Sequence, residues 1–273
     1  MSTYDAFNEY EREMWSSPRA ASYDQGLTRL TAHTVSALLD AVDARQGMRL
    51  LDVGTGPGLV AEHAATRGCA VTGVDISPQM LDIARGRVPD ADFREGSAEE
   101  LPCANSSFDA VVGNFVVLHL GHPNRLAAEA ARVLEPGGRV AFTAWGVGDR
   151  NRVLGVFPDA LARASVAPPN DIPEGPLSTE YADHGRFEHL LRAGGFSDVT
   201  VCEIDWTFTV DSTQWWDTVV ASTPRTGGLV SRQSPEVRER LRATYDAIVA
   251  PYVGADGLAT FPVVAVLASG ILR

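Results

Sequence analysis

Residues 49 to 58 read Arg-Leu-Leu-Asp-Val-Gly-Thr-Gly-Pro-Gly, an apolar strand running into a loop with glycines at Gly54, Gly56 and Gly58 and an acid at Asp52. Glycine reaches left-handed torsion angles and leaves no side chain between backbone and ligand, so this strand-to-helix turn predicts a nucleotide-like occupant. A second apolar run, Ala-Val-Thr-Gly-Val-Asp, ends on Asp75. That is the separation at which the next parallel strand presents an acid to ribose hydroxyls. The pair is far more specific than either half.

Dinucleotide and adenosyl ligands share this architecture, and the third glycine separates them. A G-x-G-x-x-G fingerprint beginning at Gly54 needs a glycine where Leu59 stands, and a pyrophosphate needs backbone N–H donors, of which Pro57 removes one. Asp52 would repel a pyrophosphate and attract the ammonium and sulfonium end of a cationic ligand. The loop therefore suits a positive ligand better.

Working outward, strands are expected near 49–53, 70–75, 91–94, 108–114 and 139–145, alternating with helices near 59–67, 78–86 and 123–134. Such alternation predicts a parallel sheet. Ser77-Pro78 makes a capped helix start, and Pro136-Gly137-Gly138 a helix stop. Before the first strand, Tyr4, Phe7, Tyr10 and Met14 mark one amphipathic helix, and Leu27, Leu30, Thr34, Leu38 and Val42 a second. Beyond Trp145 the stretch 150–182 reads as a lid or insert. A helix from Phe187 to Arg192, a long β-rich run 199–210 and a last strand 260–272 follow, with helices at 211–222 and 235–249 between the two strands.

Composition sets bounds. The chain has 273 residues, 45% of them apolar, enough to bury a substantial core. Its net charge of -12 and the lack of a clustered basic motif disfavour nucleic acid as a partner. Lysine is absent, so all 23 cations are arginines, a bias with no functional reading. Cys69, Cys103 and Cys202 lack metal-ligand or redox spacing, and Met-Ser-Thr-Tyr-Asp lacks the regions of a signal peptide, so a cytoplasmic location is expected. Phe261 to Leu272 is too short and interrupted to span a bilayer, and no membrane role is expected. No metal site is expected either. No heptad signature appears, so a monomer and a homodimer are both compatible.

Four ordered landmarks now stand together. They are Leu51-Asp52-Val53-Gly54-Thr55-Gly56-Pro57-Gly58; Val74-Asp75-Ile76-Ser77-Pro78-Gln79-Met80; Gly96-Ser97-Ala98-Glu99-Glu100-Leu101-Pro102 followed by Phe108-Asp109-Ala110-Val111-Val112; and Ala131-Arg132-Val133-Leu134-Glu135-Pro136-Gly137-Gly138-Arg139. On these residues, from about 27 to 146, the chain resembles the class I S-adenosylmethionine-dependent methyltransferases. The likeness is to the small-molecule branch that includes ubiquinone and menaquinone biosynthesis enzymes.

The resemblance implies an α/β, Rossmann-like fold: a mostly parallel seven-stranded sheet with an antiparallel last strand and helices on both faces. An N-terminal helical lid and helical additions after strand 5 and between strands 6 and 7 complete it. One domain over 1–273 is expected, divided into a lid (1–46), a cofactor-binding core (47–146) and an acceptor-side lid with the C-terminal hairpin (147–273). It implies S-adenosyl-L-methionine as cofactor, S-adenosyl-L-homocysteine as product, and a small-molecule acceptor. Gly54, Thr55, Gly56 and Gly58 would cradle the methionine portion, Asp52 would orient the loop, and Asp75 would hold both ribose hydroxyls. Ile76 and Met80 would sandwich the adenine, or simply pack in the core. Ala98 would meet the adenine edge, with Glu99 beside it, and Ser97 stands where the family usually has an acid.

Three further residues border the expected reaction centre. Asn114, where the fourth strand ends, would face the methionine or the acceptor. His119 has the basicity of a general base near neutral pH, or is a hydrogen-bonded structural histidine. Tyr23 belongs to the segment that closes over the cofactor in similar enzymes, or packs on the core. Trp15, Trp145, Trp215 and Trp216 are wall or core candidates for a flat acceptor. The expected function is methyl transfer to a small, partly apolar, possibly aromatic metabolite, as in secondary metabolism, on oxygen, nitrogen or carbon. The alternatives are a non-catalytic adenosyl-ligand-binding protein and an NAD-dependent dehydrogenase.

Overall fold

In the computed structural model, seven strands form one sheet in the order β3-β2-β1-β4-β5-β7-β6: β1 Arg49–Val53, β2 Ala70–Asp75, β3 Asp92–Glu95, β4 Phe108–Gly113, β5 Leu134–Trp145, β6 Phe196–Val210 and β7 Ala259–Leu272. The structure describes residues 3–167, 169 and 171–273, so the Met1-Ser2 start used in the signal-peptide reading lies outside it. β1 to β5 pair in parallel, and β7 runs antiparallel to both β5 and β6. Strand order reverses between β1 and β4, which opens a crevice at the carboxyl ends of these strands where the Gly54 loop begins.

Among the described residues, twelve α-helices surround the sheet: α1 Thr3–Trp15, α2 Arg19–Gln25, α3 Thr28–Thr31, α4 Val35–Ala41, α5 Leu59–Thr66, α6 Pro78–Arg87, α7 Pro123–Val133, α8 Arg152–Arg163, α9 His184–Ala193, α10 Ser212–Ser222, α11 Arg225–Ser231 and α12 Pro235–Val249. Because strand side chains alternate, Leu50 sinks into a layer with α4 and α5 through Leu38, Leu39, Val60 and Ala61. Leu51 and Val53 enter the opposite layer, against Leu126 and Ala130 of α7 and Phe187 of α9. Each fully buried leucine contributes about 1.5–3 kcal/mol relative to exposure, which pins the strand register on both faces. A third cluster joins α8, α10 and α12 to the far end of the β6–β7 hairpin through Phe157, Trp215, Tyr245 and Phe261. Among the described residues, no helix is long and apolar enough to cross a membrane.

Four segments depart from the sequence expectations. The helix drawn from Leu27 to Val42 is broken into α3, a 3-10 turn at Ala32–Thr34 and α4. The hydroxyls of Thr28, Thr31 and Thr34 donate back to the carbonyls of Asp24, Thr28 and Thr31 at 2.5, 3.3 and 2.9 Å, competing with the helical ladder. The lid or insert expected over 150–182, without helix bounds of its own, contains α8, a helical addition after strand 5 whose Val153, Val156, Phe157 and Ala160 bury one face despite Pro158. α11 was obscured by Gly227 and Gly228. Finally, β5 begins at Leu134, which pairs with Phe108 before the ladder resumes at Ala110 and Arg139. Gly137, at φ +84, turns the looped-out residues between.

Candidate functional site

The loop after β1 is held to the end of β2, where the N–H groups of Gly54 and Thr55 donate to the Val74 carbonyl at 2.8 and 3.0 Å. Gly54 has φ +66, and a Cβ there would stand 2.5 Å from Val116 Cγ2. A side chain is excluded both by torsion and by space. At Gly56, with φ +53, a Cβ would meet only the Gly54 carbonyl, at 4.0 Å, among the described residues, and the residue lines the cavity. Backbone is thereby left bare where a ligand would approach.

Two carboxylates flank this loop. Asp75 is locked at the end of β2, Oδ2 accepting from Gly56 N and Oδ1 from Ser77 N, each at 2.9 Å. Burial raises its pKa, partly offset by those N–H donors. Asp52 is only 1% exposed; its Oδ2 accepts from the Thr55 hydroxyl at 2.7 Å, while Oδ1 is buried without a partner. Burial pushes the Asp52 carboxyl up to about 7. A carboxyl group buried under a bare glycine turn places negative potential where the cationic amino-acid end of an adenosyl cofactor would lie.

The glycine loop and Asp75 border a cavity of about 530 Å³. Gly54, Thr55, Gly56, Asp75, Ile76, Met80 and Ala98 line it, as do Asn114, His119 and Tyr23. Four expected residues do not line it, and for Gly58, Ser97 and Glu99 the expected contact with the cofactor is corrected. Asp52 and Gly58 lie beneath the loop, Gly58 starting α5 at φ +83. Ser97 turns its hydroxyl to accept from Glu99 N at 3.1 Å. Glu99 accepts from Asn8 Nδ2 at 3.0 Å and His122 N at 2.7 Å, bonding the N-terminal helix to the loop after β4. Asn114 reaches the cavity, yet its amide is spent on the fold. Oδ1 accepts from Thr143 and lies beside the Thr34 hydroxyl, both at 2.7 Å, and Nδ2 donates to Thr31 O at 3.1 Å. Tyr23 packs edge-on to Trp15 with centroids 5.4 Å apart, and burial pushes its phenol up to about 12, so it keeps its proton at neutral pH.

His119 closes the 3-10 turn Val117–His119, and its Nδ1 lies 3.0 Å from Glu11 Oε2. The Trp15 indole packs edge-on to the imidazole at 5.3 Å and donates to the same Glu11 oxygen at 3.0 Å. Glu11 is 1% exposed and faces Arg225 Nε at 3.7 Å. Sequence reasoning missed Glu11 as a functional candidate. The available signal was its position four residues after Phe7, on the face of α1 that buries Phe7 and Tyr10.

Residues 51–142 match the family model for the methyltransferase domain. The chain is similar to a demethylmenaquinone methyltransferase of Renibacterium salmoninarum, 35% identical over 171 residues that make up 60% of this chain and 72% of that protein. The chain belongs to the S-adenosylmethionine-dependent methyltransferases. A malonyl-[acyl-carrier protein] O-methyltransferase of Enterobacter lignolyticus is 35% identical over 46% of this chain and 50% of its own length. In fold, the chain is similar to phosphoethanolamine N-methyltransferase 2 of Haemonchus contortus, solved with S-adenosylhomocysteine, with a TM-score of 0.54, 22% identity and coverage of 88% of this chain and 52% of that one.

The family match covers residues 51–142, and the rest of the cavity is built from residues on both sides of it, Trp15 to Thr31 before and Trp145 onward after. Trp145 stacks on Phe115 at 3.8 Å, and Phe115 itself sits at φ +58, its N–H donating to Thr143 Oγ1 at 2.9 Å. A phenylalanine held in the left-handed region costs on the order of 1–3 kcal/mol and is tolerated where its surroundings over-determine it. Leu154, Phe157 and Leu161 of α8 and Val219 of α10 add apolar surface. The Arg152–Asp159 pair, 2.6 Å apart, adds polar groups to the same wall. Of the four tryptophans considered, Trp15 and Trp145 line the cavity. Trp215 and Trp216 belong to the core, with Trp215 Nε1 donating to Val153 O at 2.8 Å.

Proposed function

We propose that this methyltransferase acts on a small, partly apolar and aromatic acceptor, with His119 as the general base. The observation that carries the reading is a single cavity shared by the Gly54–Gly56 backbone, His119 and the apolar side chains of α8 and α10. S-adenosylmethionine supplies a methyl group already activated on sulfonium, so the chain's task is proximity, alignment and exclusion of water. Gly54, Thr55 and Gly56 cradle the methionine end, Gly58 holds the turn, and the Asp52 carboxyl, buried beneath the loop, favours the cationic amino group through space. Asp75 accepts the ribose hydroxyls. Ile76 and Met80 cover the adenine faces, and Ala98 meets the ring edge.

On the acceptor side, Phe115, Trp145, Phe157 and Leu161 offer surfaces suited to a flat or branched apolar body. His119 removes a proton from the acceptor hydroxyl, carboxyl or ring position. Tyr23 and Trp15 close the cavity. Ser97, Glu99 and Asn114 organise the walls. The net charge of -12 disfavours a nucleic-acid acceptor, and we read the whole chain as one methyltransferase domain. The test is a mass-spectrometric screen of phenols, quinones and carboxylic acids with isotope-labelled methyl donor. The expected result is a labelled acceptor with matching S-adenosylhomocysteine. Cofactor binding without transfer to any acceptor would return the chain to a non-catalytic adenosyl-binding role.

A further inference from the structure

We propose that Glu11 is a positioning residue that fixes the tautomer of His119, so that the base is assembled only when the N-terminal helix α1 docks. The proposal rests on reading His119 as the base. A neutral imidazole carries one N–H and one lone pair, and a carboxylate only accepts hydrogen bonds. With Glu11 Oε2 3.0 Å from Nδ1, the proton belongs on Nδ1 and the lone pair on Nε2. The Trp15 indole, which can only donate, reaches the same oxygen at 3.0 Å and so supports the same assignment.

The charge of Glu11 is compensated from another element. Arg225 lies 3.7 Å from Oε1 and stacks its guanidinium 4.6 Å from the centre of the Phe7 ring. It also donates to Pro176 O at 2.9 Å and Leu118 O at 3.2 Å, so it is anchored to two further segments of the chain. The charged groups around the imidazole are thus Glu11 from α1, Asp75 from β2 and, behind Glu11, Arg225 from α11. The helix bearing Glu11 is seated on the histidine's own loop, since Asn8 Oδ1 accepts from Gly121 N at 2.7 Å. At Gly121 a Cβ would stand 2.5 Å from Tyr4 O, so the helix and loop meet at backbone distance. An α1 displaced from this loop would take with it both the carboxylate and the indole that orient the ring. A carboxylate serving only as an ion pair for Arg225 would stabilise the lid without setting the tautomer.

The test is a long-range proton–nitrogen correlation spectrum of the full chain, labelled at histidine and saturated with S-adenosylhomocysteine. The His119 signals are assigned by their loss in His119→Gln. The expected wild-type spectrum has the His119 proton on Nδ1; a proton on Nε2 would overturn the proposal without any variant. Glu11→Leu should mix or reverse the tautomer and lower turnover about a hundredfold, leaving S-adenosylmethionine affinity within about threefold. Glu11→Gln keeps a carbonyl acceptor and should hold the tautomer and keep turnover within about tenfold of wild type. Unchanged turnover and tautomer in a folded Glu11→Leu would leave Glu11 an ion-pair partner only. If His119→Ala leaves turnover intact, the base reading fails while the tautomer result still stands on its own.

Discussion

One wall of the cavity, Gly54 to Gly56 with Asp75, is bare backbone hung on the ends of two parallel strands. The opposite wall, Leu154 to Leu161 with Val219, is the side of two helices. In the first, positions are held by backbone bonds of 2.8 to 3.0 Å and by glycine torsions, so the geometry leaves few residue choices. In the second, position is held by apolar packing among α8, α10 and α12, which accepts many side chains of similar volume. A wall of the first kind keeps one ligand through divergence. A wall of the second kind is where a new acceptor is accommodated.

The contrast can be broken at either wall, and the largest effects belong to the backbone side. Gly54→Val forces a β-branched residue to φ +66 and into Val116, and should cost several kcal/mol of stability together with all measurable cofactor binding. Thermal unfolding and calorimetry read both. His119→Ala, between the two walls, should reduce turnover about 10²–10⁴-fold while cofactor affinity stays within about threefold, as steady-state kinetics and titration would report. An unchanged rate would make His119 structural. Leu161→Ala, on the helical wall, should weaken acceptor binding about tenfold, seen as a raised KM, with cofactor affinity unmoved.

The smallest of these effects is a pH dependence that sharpens the backbone side. The folded chain without ligand holds a proton on Asp52, raised to about 7, that an unfolded chain has already lost. This residue's contribution to stability therefore falls as pH climbs from the ordinary carboxylate range to about 7. Cofactor binding moves the other way. A cationic ligand favours the carboxylate, so affinity should rise, up to about tenfold, and protons should be released on binding between about pH 5.5 and 7.5. Calorimetry in buffers of different ionisation enthalpy measures the released proton. Asp52→Asn should abolish it.

The same contrast explains how much could be read from the chain. The turn at Gly54 and Gly56 is legible because torsion and close approach admit so few residue types there, and β1, β2 and β4 fall within a residue or two of expectation. Ser97 and Glu99 were assigned to the ligand by motif, yet their side chains bond to the chain itself, a distinction that local spacing does not encode. A helical addition after strand 5 is expected, but the bounds of α8 are masked by Gly155 and Pro158, whose unfavourable helix propensities are outweighed by burial of Val153, Val156 and Phe157. Glu11 acquires its meaning only when the fold brings α1 against His119, across 108 positions of sequence.

The central claim is that the Gly54 loop and Asp75 hold S-adenosylmethionine. It is tested most directly by calorimetric titration of that ligand into the wild-type chain and into Asp75→Ala. Loss of two charge-assisted hydrogen bonds to the ribose predicts saturable binding in the wild type and affinity weakened about a hundredfold in the variant. Equal affinity in the two proteins, each shown to be folded, would contradict it.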